Sequence, residues 1–443
     1  LVASHPLQAP VLSKEIFMRT KSLAWLSAVA VLAALPAFGD PHPVGSEFRV
    51  NGNTVSKQRN PVAAMAPSGR SLVVWENDKL GLRGRFFNRD GSPASGELAL
   101  VANQKLPGVP AEGTEVIRKD AALAFMPNGE FLLAWTEETA HVKTDIFIEQ
   151  RDVLDRDVLV QRFSAAADAA AAPSRVNGPA AGFQSQPKIL MRNNGAAVVV
   201  WQSDDLSPSS QAGDGIFGHL VTKATGRPFG DDFRVSTPAG VAGNPAIAAL
   251  PNGDFMVAWE AADADSLGVY VRAFPRDFAN PGTDTTGYQQ SRINEATAGL
   301  QRRPALVPNG GSEYVVVWQA QGDTVKAAHI VGRSASQLGA GLGHTYQVSQ
   351  GVGPTQISPS IARVKGGNFL VTWLDWKDVF PIGVYGTEID DQGRSRSAEV
   401  RINDQAIGAF FRTSIAADEN SVLIPWEGYI NRLQGISARR VDP

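Results

Sequence analysis

Side chains that could do chemistry are few. The chain has six histidines and no cysteine among 443 residues. Disulfides, thiolate metal sites, cysteine nucleophiles and a lipid-modified cysteine anchor are thereby excluded. His5 and His42 fall toward the N-terminal end, and His141 and His344 stand in loop-like stretches without a second ligand at metal-binding spacing. Aligned on the repeats below, His219 takes the place of Arg85, Gln161, Arg272 and Arg439, and His329 that of Arg162, Glu388 and Arg440. Both are expected on a solvated strand face. Carboxylates cluster twice, as Asp204, Asp205 and Asp214 and as Asp263 and Asp265. Oxygen ligands so closely spaced suit Ca2+. The run Asp263-Ala264-Asp265-Ser266-Leu267-Gly268, however, lacks the third carboxylate and the distant glutamate of an EF-hand loop, and solvated loop acids are the simpler expectation. No Gly-x-Ser-x-Gly, His-Glu-x-x-His or P-loop pattern occurs.

Aromatic residues make a second set of candidates. Trp376, with Phe380 further along its loop, and Tyr429 follow two tryptophans of the repeat closely, flanked by Asp375, Asp378 and Glu427. Brought together, they would form an apolar platform suited to stacking on a sugar ring or an aliphatic partner surface. The competing expectation is that Trp376 and Tyr429 cover the end of the core near Pro425.

The elements that must position these residues form a repeat. A short apolar run ends in tryptophan at Trp75, Trp135, Trp201, Trp259, Trp318, Trp373 and Trp426, at spacings of 60, 66, 58, 59, 55 and 53 residues. Each repeat reads as four strands. An alanine-rich first strand, such as Pro187 to Met191 or Pro245 to Ala249, is followed by an Asn-Gly turn (Asn128-Gly129, Asn194-Gly195, Asn252-Gly253, Asn309-Gly310) expected to be a two-residue hairpin. The tryptophan strand is apolar at consecutive positions, as a strand buried on both faces must be. A third strand (Ile216 to Val221, Val269 to Phe274, Val384 to Ile389) and a fourth (Phe233 to Ser236, Ser291 to Asn294, Val400 to Asn403) complete the unit. Four strands at this period predict an all-β fold, a seven-bladed β-propeller with four antiparallel strands per blade. Glu47 to Asn51 is a fourth-strand motif without predecessors, and Ile436 to Val441 a third-strand motif without a successor. The N-terminal strand is therefore expected to complete the last blade and close the ring, removing open sheet edges.

Three irregularities stand out. Pro425 precedes its tryptophan and predicts a bulged or irregular blade. Blade two carries an extra polar segment, Thr139 to Asp157, and blade five shows Val325-Lys326-Ala327-Ala328-His329 where a Gly-aromatic-Gly run is expected. The tryptophans themselves, at one register of buried strands, belong to the core.

Met18 to Gly39 has the form of a secretory signal: Arg19 and Lys21, an apolar stretch from Leu23 to Leu35 too short to span a bilayer, and a small-residue cleavage site at Ala37-Phe38-Gly39. Residues 1–39 are thus set apart from a single propeller domain over 40–443. That domain is expected to be exported, to the periplasm or the extracellular space, without a transmembrane span. The whole chain has a formal net charge of −3, which argues against a nucleic-acid footprint.

The run Pro245 to Trp259, with the Gly-aromatic-Gly and Phe-Arg-Val-Asn strands that follow it in the repeats, resembles propeller repeats of secreted bacterial surface proteins that occur beside haemolysin-type calcium-binding and adhesin modules. In weaker form the resemblance covers Glu47 to Asp442. It implies fold and export, and no catalytic residues. The expected function is a non-catalytic binding or adhesion module that recognises a glycan or protein at the cell surface through its variable loops. A scaffold subunit of a surface assembly and a carbohydrate-active enzyme are the alternatives.

Overall fold

A computed structural model describes residues 41–106, 112–144, 149–178, 182–193, 196–204, 214–237, 241–278, 289–322, 327–351, 355–377, 380–404, 412–430 and 433–442. The fold is all-β and propeller-like. Each repeat tryptophan is at most 1% exposed and lies on the second strand of an antiparallel four-strand unit. Unit one comprises Gln58–Met65, Ser71–Asn77, Gly81–Phe87 and Leu98–Val101. Unit two is built on Glu112–Phe125, Phe131–Thr144, Glu149–Phe163 and Ser174–Arg175. Unit three has Phe183–Met191, Ala196–Asp204, Gly215–Thr222 and Pro228–Arg234, and unit four Ala242–Ala249, Phe255–Ala262, Leu267–Phe274 and Ser291–Arg292. Unit five has Leu300–Pro308, Glu313–Gln321, Ala328–Ser336 and Gly341–Gln347, and unit six Thr355–Arg363, Phe369–Lys377, Phe380–Ile389 and Val400–Arg401. Unit seven takes Ala416–Asp418, Ser421–Ile430 and Leu433–Asp442. Its outer strand is His42–Arg49, paired through Phe48 with Ala438 and Arg49 with Ser437.

The core lies between units. Alternate residues of a tryptophan strand face opposite neighbours, so both sets must be apolar. Leu72 and Val74 pack with Leu133 and Trp135, Leu132 and Ala134 with Val199 and Trp201, and Val198 and Val200 with Val257 and Trp259. The series continues through Met256 with Trp318, Val315 with Trp373 and Leu370 with Trp426. A further cluster joins Leu423, Ile436 and Ala438 of unit seven to Val73 and Trp75 of unit one.

Polar residues then fasten one unit to the next. An arginine at one position of the third strand, after Gly84, Val271, Gly332 or Ala438, reaches back to the preceding unit: Arg85 Nη1 donates to Val50 O, Arg272 to Val235 O, Arg333 to Ile293 O and Arg439 to Ile402 O, at 2.9–3.2 Å. Within a unit, the residue ending the fourth-strand motif accepts the N–H that opens the third strand. Asn51 does so for Ile436, Asn177 for Val158, Asn294 for Val269 and Asn403 for Val384, while Ser236 and Ser349 substitute in units three and five.

Several sequence expectations change. The turns at Asn128-Gly129 and Asn252-Gly253 are not two-residue hairpins. Gly129 N donates to Met126 O and Met126 N to Glu130 O, with only the glycine at positive φ (85°), which is a type I turn closed by a glycine bulge. Asn194-Gly195 lies outside the described residues. His219 is 6% exposed, not solvated, and its Nδ1 is 2.6 Å from Asp232 Oδ1. The second oxygen of Asp232 accepts Gly178 N, so this pair replaces the arginine clasp to unit two. His329 is out of the expected register: it pairs with Ala320, two residues after the tryptophan, as Gly383 pairs with Asp375, and its Nδ1 is 2.9 Å from Gln356 Oε1 of unit six. The Gly-aromatic-Gly equivalent of unit five is accordingly Ile330-Val331-Gly332, and Gly332 is needed because a Cβ there would stand 2.7 Å from the Tyr346 ring.

Pro425 sits in an unbroken strand. The irregularity falls on its neighbour, because the missing N–H faces the first strand, which is reduced to Ala416–Asp418 and an isolated bridge between Thr413 and Trp426. The polar segment of unit two extends the sheet. Glu137 pairs with Asp157 and Val142 with Arg151, and ion pairs Arg118–Glu137 (2.9 Å), Arg156–Glu138 (2.7 Å) and Arg151–Glu115 (3.2 Å) lace the arm. At about 3.3 Å per residue it rises roughly 20 Å beyond the core strands. Among the described residues no helix is long and apolar enough to cross a membrane.

Candidate functional site

Gln-x-x-Pro recurs 17 residues before a repeat tryptophan, with glutamine at Gln58, Gln184, Gln301 and Gln356. In three units the glutamine Oε1 accepts the buried indole N–H: Trp75 to Gln58, Trp201 to Gln184 and Trp318 to Gln301, at 2.8–2.9 Å. The residue just before the proline departs from strand geometry. Asn60, Gln186, Asn244, Arg303 and Ser358, with Asp120 at the same place in unit two, have φ between 49° and 56°. The strand register slips at each of them. Proline disfavours the right-handed helical conformation in the residue before it and has no N–H to give the ladder, so a bulge is where it belongs. Asparagine and aspartate adopt left-handed backbone readily, whereas glutamine, arginine and serine do so at a cost of about 1–2 kcal/mol.

These bulges lie where the first strands begin, beside the end of the tryptophan strands from which the longer loops spring. The residue after the tryptophan holds them. Glu76 Oε1 accepts Asp120 N (2.7 Å), Glu260 Oε2 accepts Arg303 N (2.8 Å) and Glu427 Oε2 accepts Asn60 N (2.9 Å). Each bond joins one unit to the next. Asn60 and Asn244 return a second bond within their own units, to Glu76 and Glu260. Burial, and then the charge of Asp120, push the Glu76 carboxyl up to about 7; burial also raises Glu427.

Cations of units three, five and seven interact electrostatically with charged groups of the seams. Burial lowers the pKa of Lys188 on the first strand of unit three, with Asp120 opposing and Arg412 adding to the effect. Burial lowers Arg303 of unit five as well, followed by repulsion from Arg412. Lys188 is nevertheless only partly buried, and Arg303 is exposed. Arg412 also acts on Glu76 and Glu427, so its charge reaches groups of units one, three, five and seven at once. The bulges combine rigid backbone with chemically different side chains, and their residues carry amide, hydroxyl, carboxylate and cationic groups.

The residues singled out from sequence are placed differently. Asp375 is 1% and Glu427 3% exposed, so neither flanks an exposed platform; Asp375 accepts from Gln356 Nε2 and Glu427 belongs to the seam just described. Trp376 packs against the core cluster between units six and seven. Tyr429 is 45% exposed. Asp378 and the Phe380 side chain lie outside the described residues, as does Asp205. Asp263 is spent on its own turn, where its Oδ1 accepts Asp265 N and Ser266 N. Asp204 accepts from Gln202 Nε2, and Asp265 is exposed. The Asp214 carbonyl accepts from Arg234 Nη2. Among the described residues no group of three or more histidines and carboxylates could hold a metal ion. Sequence reasoning missed Asn60, Glu76, Asp120, Lys188, Arg303 and Arg412. The signal for most of them was the Gln-x-x-Pro spacing and the acid that follows Trp75, Trp259 and Trp426.

No family model and no curated protein matches this chain. Among solved structures, a protein of unknown function from Dyadobacter fermentans is similar over 92% of this chain and 100% of its own, with a TM-score of 0.52 at 10% identity. A Penicillium chrysogenum α-L-arabinanase complexed with arabinobiose gives a TM-score of 0.45 at 13% identity, covering 79% of this chain and 98% of that one. The Trypanosoma rangeli sialidase gives 0.46 at 10% identity, over 89% of this chain and 58% of the sialidase. The likeness to the Dyadobacter protein is one of fold alone, and the two weaker ones bear on neither fold nor activity.

Proposed function

We propose that this chain is an exported seven-bladed β-propeller of the kind found in bacterial surface proteins, its ring closed by the strand His42–Arg49. It binds a cell-surface glycan, without catalysis, at the first-strand bulges on its loop face. Export rests on the signal-like Met18 to Gly39 segment, and closure on the strand pairing and the cluster that joins units seven and one. One observation carries the binding reading: a single structural position, repeated in six units, holds six side chains of mixed chemistry, three of which strain the backbone. A purely structural bulge would be served by asparagine or glycine throughout. Directional hydrogen-bonding groups on rigid strands suit the hydroxyls of a sugar. The test is Gln186→Gly with Ser358→Gly. Glycine relieves the left-handed strain, so the melting temperature is expected to hold or rise, while retention on a glycan array falls about tenfold. Retention unchanged in the double variant would move the site elsewhere on the loop face, with exposed Tyr429 next to be replaced.

One observation favours a hydrolytic reading. Glu76, held near 7 beside Asp120, has the protonation of a general acid with a carboxylate neighbour. Turnover of aryl glycosides that disappears in Glu76→Gln would establish it.

A further inference from the structure

We propose that the seam between units three and four holds a pocket for the acetamido group of an N-acetylated amino sugar, seated against the Trp259 indole where the repeat has lost its glutamine. This deepens the glycan-binding reading and rests on it. In units one, three and five the glutamine 17 residues before the tryptophan stands opposite the residue two beyond it: Gln58 faces Asn77, Gln184 faces Ser203 and Gln301 faces Ala320. Its Oε1 takes the indole N–H. Unit four keeps the register and changes the residue, because Ala242 faces Ala261. Among the described residues the Trp259 N–H has no hydrogen-bond partner, although Trp259 is fully buried. A cavity of about 100 Å3 lies there, lined by Ala242, Trp259 and Ala261 together with Tyr270. It begins two residues before the bulge at Asn244.

The lining selects the ligand. One water needs roughly 10–15 Å3 of such space, so the cavity admits a group of several heavy atoms. A buried N–H without an acceptor is costly, and the group the fold itself supplies in other units is a carboxamide. An acetamido group brings the same carbonyl. Its methyl suits the alanines and the Tyr270 ring, which stacks on Trp259 with centroids 6.3 Å apart. A cation has no lone pair to offer the indole. An anion is disfavoured by Asp263: a Cβ on Gly268 would stand 2.8 Å from Asp263 Oδ2 and 3.3 Å from the Tyr270 ring, so carboxylate and phenol are neighbours. Burial, and then that carboxylate, raise the Tyr270 pKa, and the hydroxyl keeps its proton. Thr237 and Gln290 also line the cavity. Thr237 N donates to Gln290 Oε1 at 2.9 Å, which leaves the Thr237 hydroxyl and the Gln290 amide N–H groups for the ring hydroxyls of a sugar. An acetylated lysine has only an aliphatic stem to set against those groups.

The experiment titrates the full chain with N,N′-diacetylchitobiose, its N-benzoyl counterpart, cellobiose and an acetyl-lysine peptide, alongside Ala242→Gln. The diacetylated disaccharide is expected to bind at least about tenfold more tightly than cellobiose, which carries hydroxyls in place of the acetamido groups. Saturation transfer from the protein should be strongest at the acetyl methyl. Ala242→Gln returns the repeat's own carboxamide to the cavity. It should hold or raise the melting temperature, remove the tenfold preference and leave binding of cellobiose unaffected. The N-benzoyl disaccharide is too large for the cavity and should bind no better than cellobiose, which keeps the test decisive should Ala242→Gln fail to fold. Equal affinity for the diacetylated disaccharide and cellobiose, or a preference that survives Ala242→Gln or extends to the N-benzoyl compound, would overturn the inference while leaving glycan binding in place. Binding of the acetyl-lysine peptide with no saccharide bound at all would overturn both.

Discussion

Glu76 shows how much one side chain can be asked to do. Its Oε1 takes both Asn60 Nδ2 and Asp120 N, binding unit one to unit two, and burial holds its proton to about 7 against an ordinary 4.5. The folded state therefore binds this proton more tightly than the unfolded chain. Its contribution to stability is complete below pH 4.5 and is lost as pH rises toward 7. Because an amide oxygen can accept both bonds, Glu76→Gln should stabilise the protein at pH 8 by up to ~3 kcal/mol and change little at pH 4. Denaturant unfolding at the two pH values measures this, and an effect independent of pH would contradict it. At this scale the tryptophans were legible, since an apolar run of that length has no place but the core. The glutamines were not, because a polar residue in a strand reads as solvated until its buried partner, the indole N–H, is known. His219 and His329 misled for the same reason.

Among the elements, strand order and pairing were legible from periodicity and from the Phe-Arg-Val-Asn motifs, whose terminal asparagine proves to hold the third strand. The bulges were hidden, because Asn-Pro in a sequence signals a turn as readily as a slip within a strand. The arm of unit two was hidden too, since its charges pair across strands and leave no apolar alternation to see. Only its tip is dispensable on this reading, because Ala140 and Val142 are buried. Replacing residues 143–150 by Asn-Gly joins the register partners Val142 and Arg151 through a two-residue turn. The melting temperature is expected to shift by less than about 3 °C. A fall of more than about 10 °C would mean that the tip supports the core after all.

For the whole molecule, seven apolar clusters of one kind between units argue for shared stability, and in the proposed closed ring the seam between units seven and one is the last of them. That seam combines the cluster around Trp75 and Ile436 with the bond from Asn60 N to Glu427, and unit seven is itself completed by the pairing of His42–Arg49 with Leu433–Asp442. The proposed binding site depends on it, because the Glu427 carboxylate holds the bulge of unit one at Asn60 only if unit seven stands beside unit one. The chain has no cysteine, so a crosslink can be introduced without background. Arg49→Cys with Ser437→Cys joins register partners of the N-terminal and C-terminal strands that together complete unit seven. Under mild oxidation the variant is expected to form one intramolecular disulfide as a monomer and to melt at a higher temperature than its reduced form. Thiols that stay free, or crosslinks that form only between molecules, would contradict the proposed closure of the ring.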